Sequence, residues 1–202
     1  MPCCRSFVML CGMTALLTAC AGGPAVVDQS SANSKHPNQY IDEQSGVTVA
    51  ATDKPLLFAR DRHQRGANLR DYVTMTAATV DRTGKRGCLL IAYMWSTLDA
   101  RYEPLRPVPD TLILLADDRS IRLDASGGTP AAFGVIRAVG APAGRTVKTL
   151  VLPTDLDTLR YIAAARSLQI QANVDDAMVS YVLWDDQRKA LDRFVQFLNG
   201  EC

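Results

Sequence analysis

Leu168-Gln169-Ile170-Gln171-Ala172-Asn173-Val174 alternates apolar and amide side chains without a break. A period of two places one set of side chains on each face of a strand, so this stretch predicts a strand that is apolar inside and amide outside. Asp175-Asp176 follows as a turn and Met178 to Trp184 returns, which makes an antiparallel hairpin. A hairpin with one apolar face needs a cover. Two helical patterns flank it. On the N-terminal side Pro153 is expected to break a strand at Thr146 to Leu152. Thr154 then caps a helix, and Asp157 stands where a capping box wants an acceptor. Leu156, Leu159 and Ala163 fall at i, i+3 and i+7, with Ile162 beside them. On the C-terminal side Asp185 and Asp186 suit the positive end of a helix dipole. Leu191, Phe194, Val195 and Leu198 form an apolar stripe that Asn199-Gly200 closes.

Working back along the chain, strands predominate. Val47 to Ala50 and Pro55 to Ala59 are short strand candidates, and Tyr72 to Asp81 alternates with period two. The turn from Arg82 to Gly87 leads into Cys88-Leu89-Leu90-Ile91-Ala92-Tyr93-Met94-Trp95, which is apolar on both faces and predicts a central, doubly covered strand. Leu98 to Asp110 holds Pro104, Pro107 and Pro109 and excludes a helix. Thr111 to Ala116 and Ile121 to Asp124 are joined by the turn Asp117 to Ser120. Ala125 to Arg145 carries five glycines and reads as loop, with a short strand at Phe133 to Ile136. No βαβ alternation dominates and no internal repeat is visible. The expected fold is α+β: a mainly antiparallel, sandwich-like sheet with two helices in the C-terminal third.

The chain has 202 residues, 48% hydrophobic and 21% charged, as a globular protein does. Its 22 basic and 21 acidic residues nearly cancel, which argues against a nucleic-acid partner. Beyond the N-terminal stretch no run of eighteen apolar residues exists to span a membrane.

The first nineteen residues have the layout of a targeting segment. Arg5 is the only basic side chain in the first 34 residues, and Phe7 to Leu17 is mostly apolar. That run is the length of a signal-peptide core and short for a hydrocarbon span of about 30 Å. Leu17-Thr18-Ala19-Cys20 resembles the lipobox of bacterial lipoproteins, a resemblance confined to about the first twenty residues. It implies removal of residues 1–19 as a signal peptide and lipidation of Cys20, hence a membrane partner through the N-terminal lipid. It also implies residence in the cell envelope, and Ala21 in place of Asp favours the outer membrane, facing the periplasm. One acyl chain binds a membrane only marginally, so stable anchoring needs two or more. Residues 20–39, rich in Ala, Gly, Ser, Asn and Gln, then read as a lipidated cysteine and flexible tether, and residues 40–202 as a single globular domain.

With Cys20 acylated, Cys88 and Cys202 remain in an oxidising compartment, and an even pair there predicts a disulfide. The alternative is two separate thiols, one buried in a strand and one at the chain end.

Catalytic signals are weak. His63 is the only histidine of the folded part, it lies in a polar loop, and no Gly-x-Ser-x-Gly elbow accompanies it. No histidine- or cysteine-built metal site is spaced along the chain, and no cofactor motif occurs. The pairs Asp117-Asp118, Asp175-Asp176 and Asp185-Asp186 fall at turns or helix starts, where aspartate is expected anyway. No catalytic residue is assigned. Two segments suit a partner surface. One is the loop bearing Arg60, Arg62, Arg65 and Arg70, which could meet phosphate or acidic glycan. The other is the proline-rich segment with Arg101, Tyr102 and Arg106. The expected function is that of an outer-membrane lipoprotein whose domain binds or scaffolds an envelope protein or glycan. The alternatives are an envelope hydrolase using carboxylates on cell-wall glycan or peptide, and a carrier of a small ligand.

Overall fold

A computed structural model describes residues 37–62, 69–97, 109–143, 147–200 and 202. The expectations for residues 1–36, which include the signal segment, Cys20 and most of the tether, lie outside these. The chain from Asn33 to Cys202 forms one compact unit. Among the described residues it holds ten strands and two α-helices: β1 (Asn38–Asp42), β2 (Val47–Ala51), β3 (Leu56–Asp61), β4 (Arg70–Arg82), β5 (Lys85–Ser96), β6 (Thr111–Ala116), β7 (Arg119–Asp124), β8 (Lys148–Thr154), α1 (Leu156–Ala164), β9 (Leu168–Val174), β10 (Ala177–Asp185) and α2 (Arg188–Phe197).

The strands make one sheet, antiparallel at every pairing among the described residues. Its main path is β7-β6-β9-β10-β3-β4-β5-β8. β4 is long enough to take two partners on one edge. Arg70 to Met75 pairs with β3, and Ala78 to Asp81 pairs with β2, which carries β1 beyond it. The sheet curls until its ends approach, and Ser126 after β7 donates its N–H to the Val151 carbonyl of β8 at 2.9 Å.

Each face has its own core. The inner face buries Phe58, Met75, Leu90, Leu114 and Ile170 under Leu159 and Ile162 of α1, Leu191 and Phe194 of α2, and Leu198 just after it. The outer face of β2, β4, β5 and β8 buries Val49, Ala78, Leu89, Ile91 and Val151 under Phe133, Val135 and Val139. This explains the unbroken apolar run of β5: Leu90 and Ala92 point inward, while Leu89, Ile91 and Tyr93 point outward. The sandwich-like layering thus comes from one sheet, with helices inside and the 129–143 segment covering part of the outside.

Several local expectations change. β1 begins at Asn38, so two residues read as tether belong to the sheet. The strand expected at Phe133 to Ile136 is absent. Pro130–Phe133 is a single 3₁₀ turn, closed by Gly134 at φ 90°. That left-handed backbone ends any extension, and a Cβ there would lie 3.1 Å from Val47 Cγ2. Pro153 does not end β8, which continues to Thr154 with Pro153 opposite Leu89. β8 pairs only with β5, and an edge strand tolerates a residue without an N–H. The α1 cap is Asp155, not Thr154: its Oδ1 accepts the Thr158 N–H at 2.6 Å, while Asp157 pairs with Arg160.

The β4–β5 turn is only Thr83-Gly84, at φ 53° and 81°, and Asp175-Asp176 turns β9 into β10 at φ 54° and 61°. Cys88 of β5 and Cys202 are joined by a disulfide, with Cα atoms 5.5 Å apart across 114 residues of sequence.

Candidate functional site

The two predicted partner segments leave the sheet side by side. The first departs from β3 and returns into β4, where the Arg62 N–H donates to the Leu69 carbonyl at 3.0 Å. The second departs after β5. There Thr97 N–H donates to the Arg70 carbonyl at 2.9 Å, and Arg70 N–H donates to Thr97 Oγ1 at 3.0 Å. Arg60, Arg62 and Arg70 therefore stand at the base of both segments. His63, Arg65, Arg101, Tyr102 and Arg106 lie outside the described residues.

At this end the arginines divide between the faces. Arg60 pairs in register with Asp71 on the inner face, and Arg62 reaches the same carboxylate. Asp71 Oδ2 accepts from Arg60 at 2.6 Å and from Arg62 Nε at 2.7 Å, with its side chain 7% exposed. Burial pushes the Asp71 carboxyl up. The hydrogen bonds and charges of Arg62 and Arg60 outweigh that and hold it below the ordinary carboxylate range. A carboxylate kept ionised in this way is a poor general acid near neutral pH.

On the outer face Arg70 Nε pairs with Asp61 at 2.5 Å, and its guanidinium lies 4.2 Å from the centroid of the Trp184 ring. Trp184 sits in a bulge of β10, between Leu183 opposite Phe58 and Asp185 opposite Leu57. Bulges of this kind re-aim a side chain. Next to them Tyr72 stacks on Trp95, with centroids 4.2 Å apart and rings inclined by 14°, and Trp95 Nε1 donates to Thr74 Oγ1 at 2.9 Å.

The four positive charges read from the loop are thus partly neutralised where the structure describes them. Asp61 takes Arg70, and Asp71 from the following strand takes Arg60 and Arg62. Sequence reasoning missed Asp71, Trp95 and Trp184. One signal was present: Asp71 is in phase with Val73, Met75 and Ala77, so a charge occupied a core-facing position.

The acidic pairs serve the fold. Asp117 Oδ1 accepts from the Arg166 and Ser167 N–H groups at 2.9 and 2.8 Å, which lowers its carboxyl below the ordinary range and ties the β6–β7 turn to the start of β9. Asp185 accepts from Gln187 Nε2 at 2.8 Å, and Asp186 binds Arg188, whose guanidinium also reaches the Ala165 carbonyl after α1. Among the described residues no group of three or more His, Cys, Asp or Glu could hold a metal ion. No helix among them is long and apolar enough to cross a membrane.

No protein-family model, no curated protein and no solved structure matches the chain.

Proposed function

We propose that this chain is a lipoprotein of the bacterial outer membrane, anchored by acyl chains on Cys20, whose sheet domain binds or scaffolds another envelope component on the periplasmic side. The observation that carries the reading is the run Leu17-Thr18-Ala19-Cys20 at the end of a short apolar segment. The Cys88–Cys202 disulfide supports it, because such bonds persist in oxidising compartments such as the periplasm. The loop end supports a binding role over chemistry. Its buried carboxylate is paired with two guanidinium groups, while its outer face carries aromatic rings, of which Trp184 is exposed.

Membrane fractionation of cells expressing the wild type and Cys20→Ala tests the anchor. The wild type is expected with outer-membrane vesicles, and the variant, uncleaved or soluble, is expected to leave them. Equal recovery of both in the outer membrane removes the reading. In-cell crosslinking at Trp184, followed by purification, tests the binding role. A defined envelope adduct is expected, and its absence leaves an anchored domain without a partner at this surface.

A further inference from the structure

The outer face of β3, β10, β9 and β6 has no segment packed on it among the described residues, unlike the half covered by residues 129–143. On β9 it presents Gln169, Gln171 and Asn173 in a row. Across the ladder they face Val182, Ser180 and Met178 of β10. Gln169 and Gln171 also face Leu115 and Ile113 of β6. Trp184 stands at one end of the row. Three of the exposed large apolar side chains lie on β10: Met178 at 58%, Val182 at 56% and Trp184 at 54%.

From this arrangement we infer that the outer face of β10 and β9 binds a neutral glycan strand, with Trp184 stacking on a sugar ring and Gln169, Gln171 and Asn173 bonding its hydroxyl or acetamido groups. The inference rests on the envelope reading above and names the partner.

Three observations favour this ligand. The amides are unused: among the described residues none of the three makes a side-chain hydrogen bond, so each keeps donors and an acceptor in one plane. Sugars present the matching combination of hydroxyls and apolar ring faces, and an indole fits the latter. The face carries no excess of positive charge. Arg70 is paired with Asp61, Arg122 is held by Asp124 at 2.8 Å, and Asp185 opposite Leu57 adds an acid, so nothing there draws a polyanion or an anionic membrane. A second copy of this chain is the poorer fit, because closing two such faces together would bury six amides that need partners.

The row is also long enough. From Trp184 to Met178 the strand advances about 20 Å at ~3.3 Å per residue, enough for several linked rings. Arg70 holds the indole in place through its contact at 4.2 Å, so little side-chain freedom is left to lose on binding.

The test is calorimetric titration of the full-length chain in detergent micelles with chitohexaose and with cellohexaose. At least one is expected to bind with a Kd below about 1 mM. Trp184→Ala should weaken that binding about tenfold, which is ~1.4 kcal/mol, and Gln171→Ala about threefold. Ile136→Ala, an exposed apolar change elsewhere, should leave it unchanged. Gln171→Ala alters only a half-exposed amide, so its result stands even where Trp184→Ala disturbs folding. No binding of either sugar by the wild type, or equal binding by both face variants, overturns the inference. So does light scattering that shows a wild-type dimer and a Trp184→Ala monomer, since a second copy then covers the face. Fractionation of the same preparations separates the two readings. Sugar binding lost with the anchor intact overturns only this one, and an absent anchor with sugar binding intact overturns only the lipoprotein.

Discussion

Asp71 of β4 stands opposite Arg60 of β3 in the antiparallel register and also accepts from Arg62, so one buried carboxylate holds two guanidinium groups at the loop end of the sheet. Removing the carboxylate leaves two cations without their counter-charge. Asp71→Asn is expected to cost about 2–4 kcal/mol, read as a lower urea midpoint at neutral pH. The pH dependence has a definite sign. The folded-state pKa lies below the unfolded one, so Asp71 contributes stability that is fully present above the ordinary aspartate pKa. That contribution is lost as pH falls through the lowered folded value. The wild type should therefore lose stability in acid more steeply than Asp71→Asn. Parallel curves for the two proteins below about pH 4 would count against the ion cluster.

The disulfide closes a long loop, its cysteines 114 positions apart in sequence. In the chain-entropy model such a bond stabilises by up to about 4–5 kcal/mol, less where the native state is strained. The double variant Cys88→Ser, Cys202→Ser should unfold at markedly lower urea. The unreduced wild type should show no reactive thiol at either position. Two thiols titrated without reductant would refute the bond.

Much of the last third could be read from the residues. Alternation fixed the faces of β9, and the stripe Leu191, Phe194, Val195 and Leu198 matches the buried side of α2 and its C-terminal end. These elements are amphipathic, so one pattern determines both type and orientation. β5 was legible for the opposite reason, since apolar residues in both phases need two covers. What covers its outer face was not legible. The segment 129–143 has no repeating pattern, and it docks through Phe133, Val135 and Val139 on scattered positions between glycines. The candidate surface was half legible. The arginines stood out as a cluster, but Asp71 and the aromatic neighbours come from β4, β5 and β10, and only register brings them together.

Gly140 shows how tightly that covering segment is seated. It has φ 68°, and a Cβ built on it would overlap Thr76 Oγ1 and lie 3.1 Å from Thr76 Cβ. Thr76 is fully buried on β4, and rotating its hydroxyl away would leave its Cβ, fixed to the strand, in tight contact. Gly140→Ala is expected to destabilise by about 2–3 kcal/mol, combining backbone strain with overpacking. Denaturant unfolding measures it. Gly84→Ala is the comparison, also at positive φ but in open space, and should cost less.

The helix start offers a paired test. Asp155→Ala removes the side chain that accepts the Thr158 N–H and should cost about 1 kcal/mol. Thr154→Val, one residue earlier, lies in β8 and leaves that bond intact, so its cost should be smaller. The reverse order would return the cap to Thr154.

The proposed lipidation of Cys20 is tested most directly by the N-terminal peptide of the protein purified from bacterial membranes. Mass spectrometry is expected to find a peptide beginning at Cys20 and carrying a diacylglyceryl group, with or without a further acyl chain on its amino group. A peptide that begins elsewhere, or one that begins at Cys20 with a free thiol, would contradict the account.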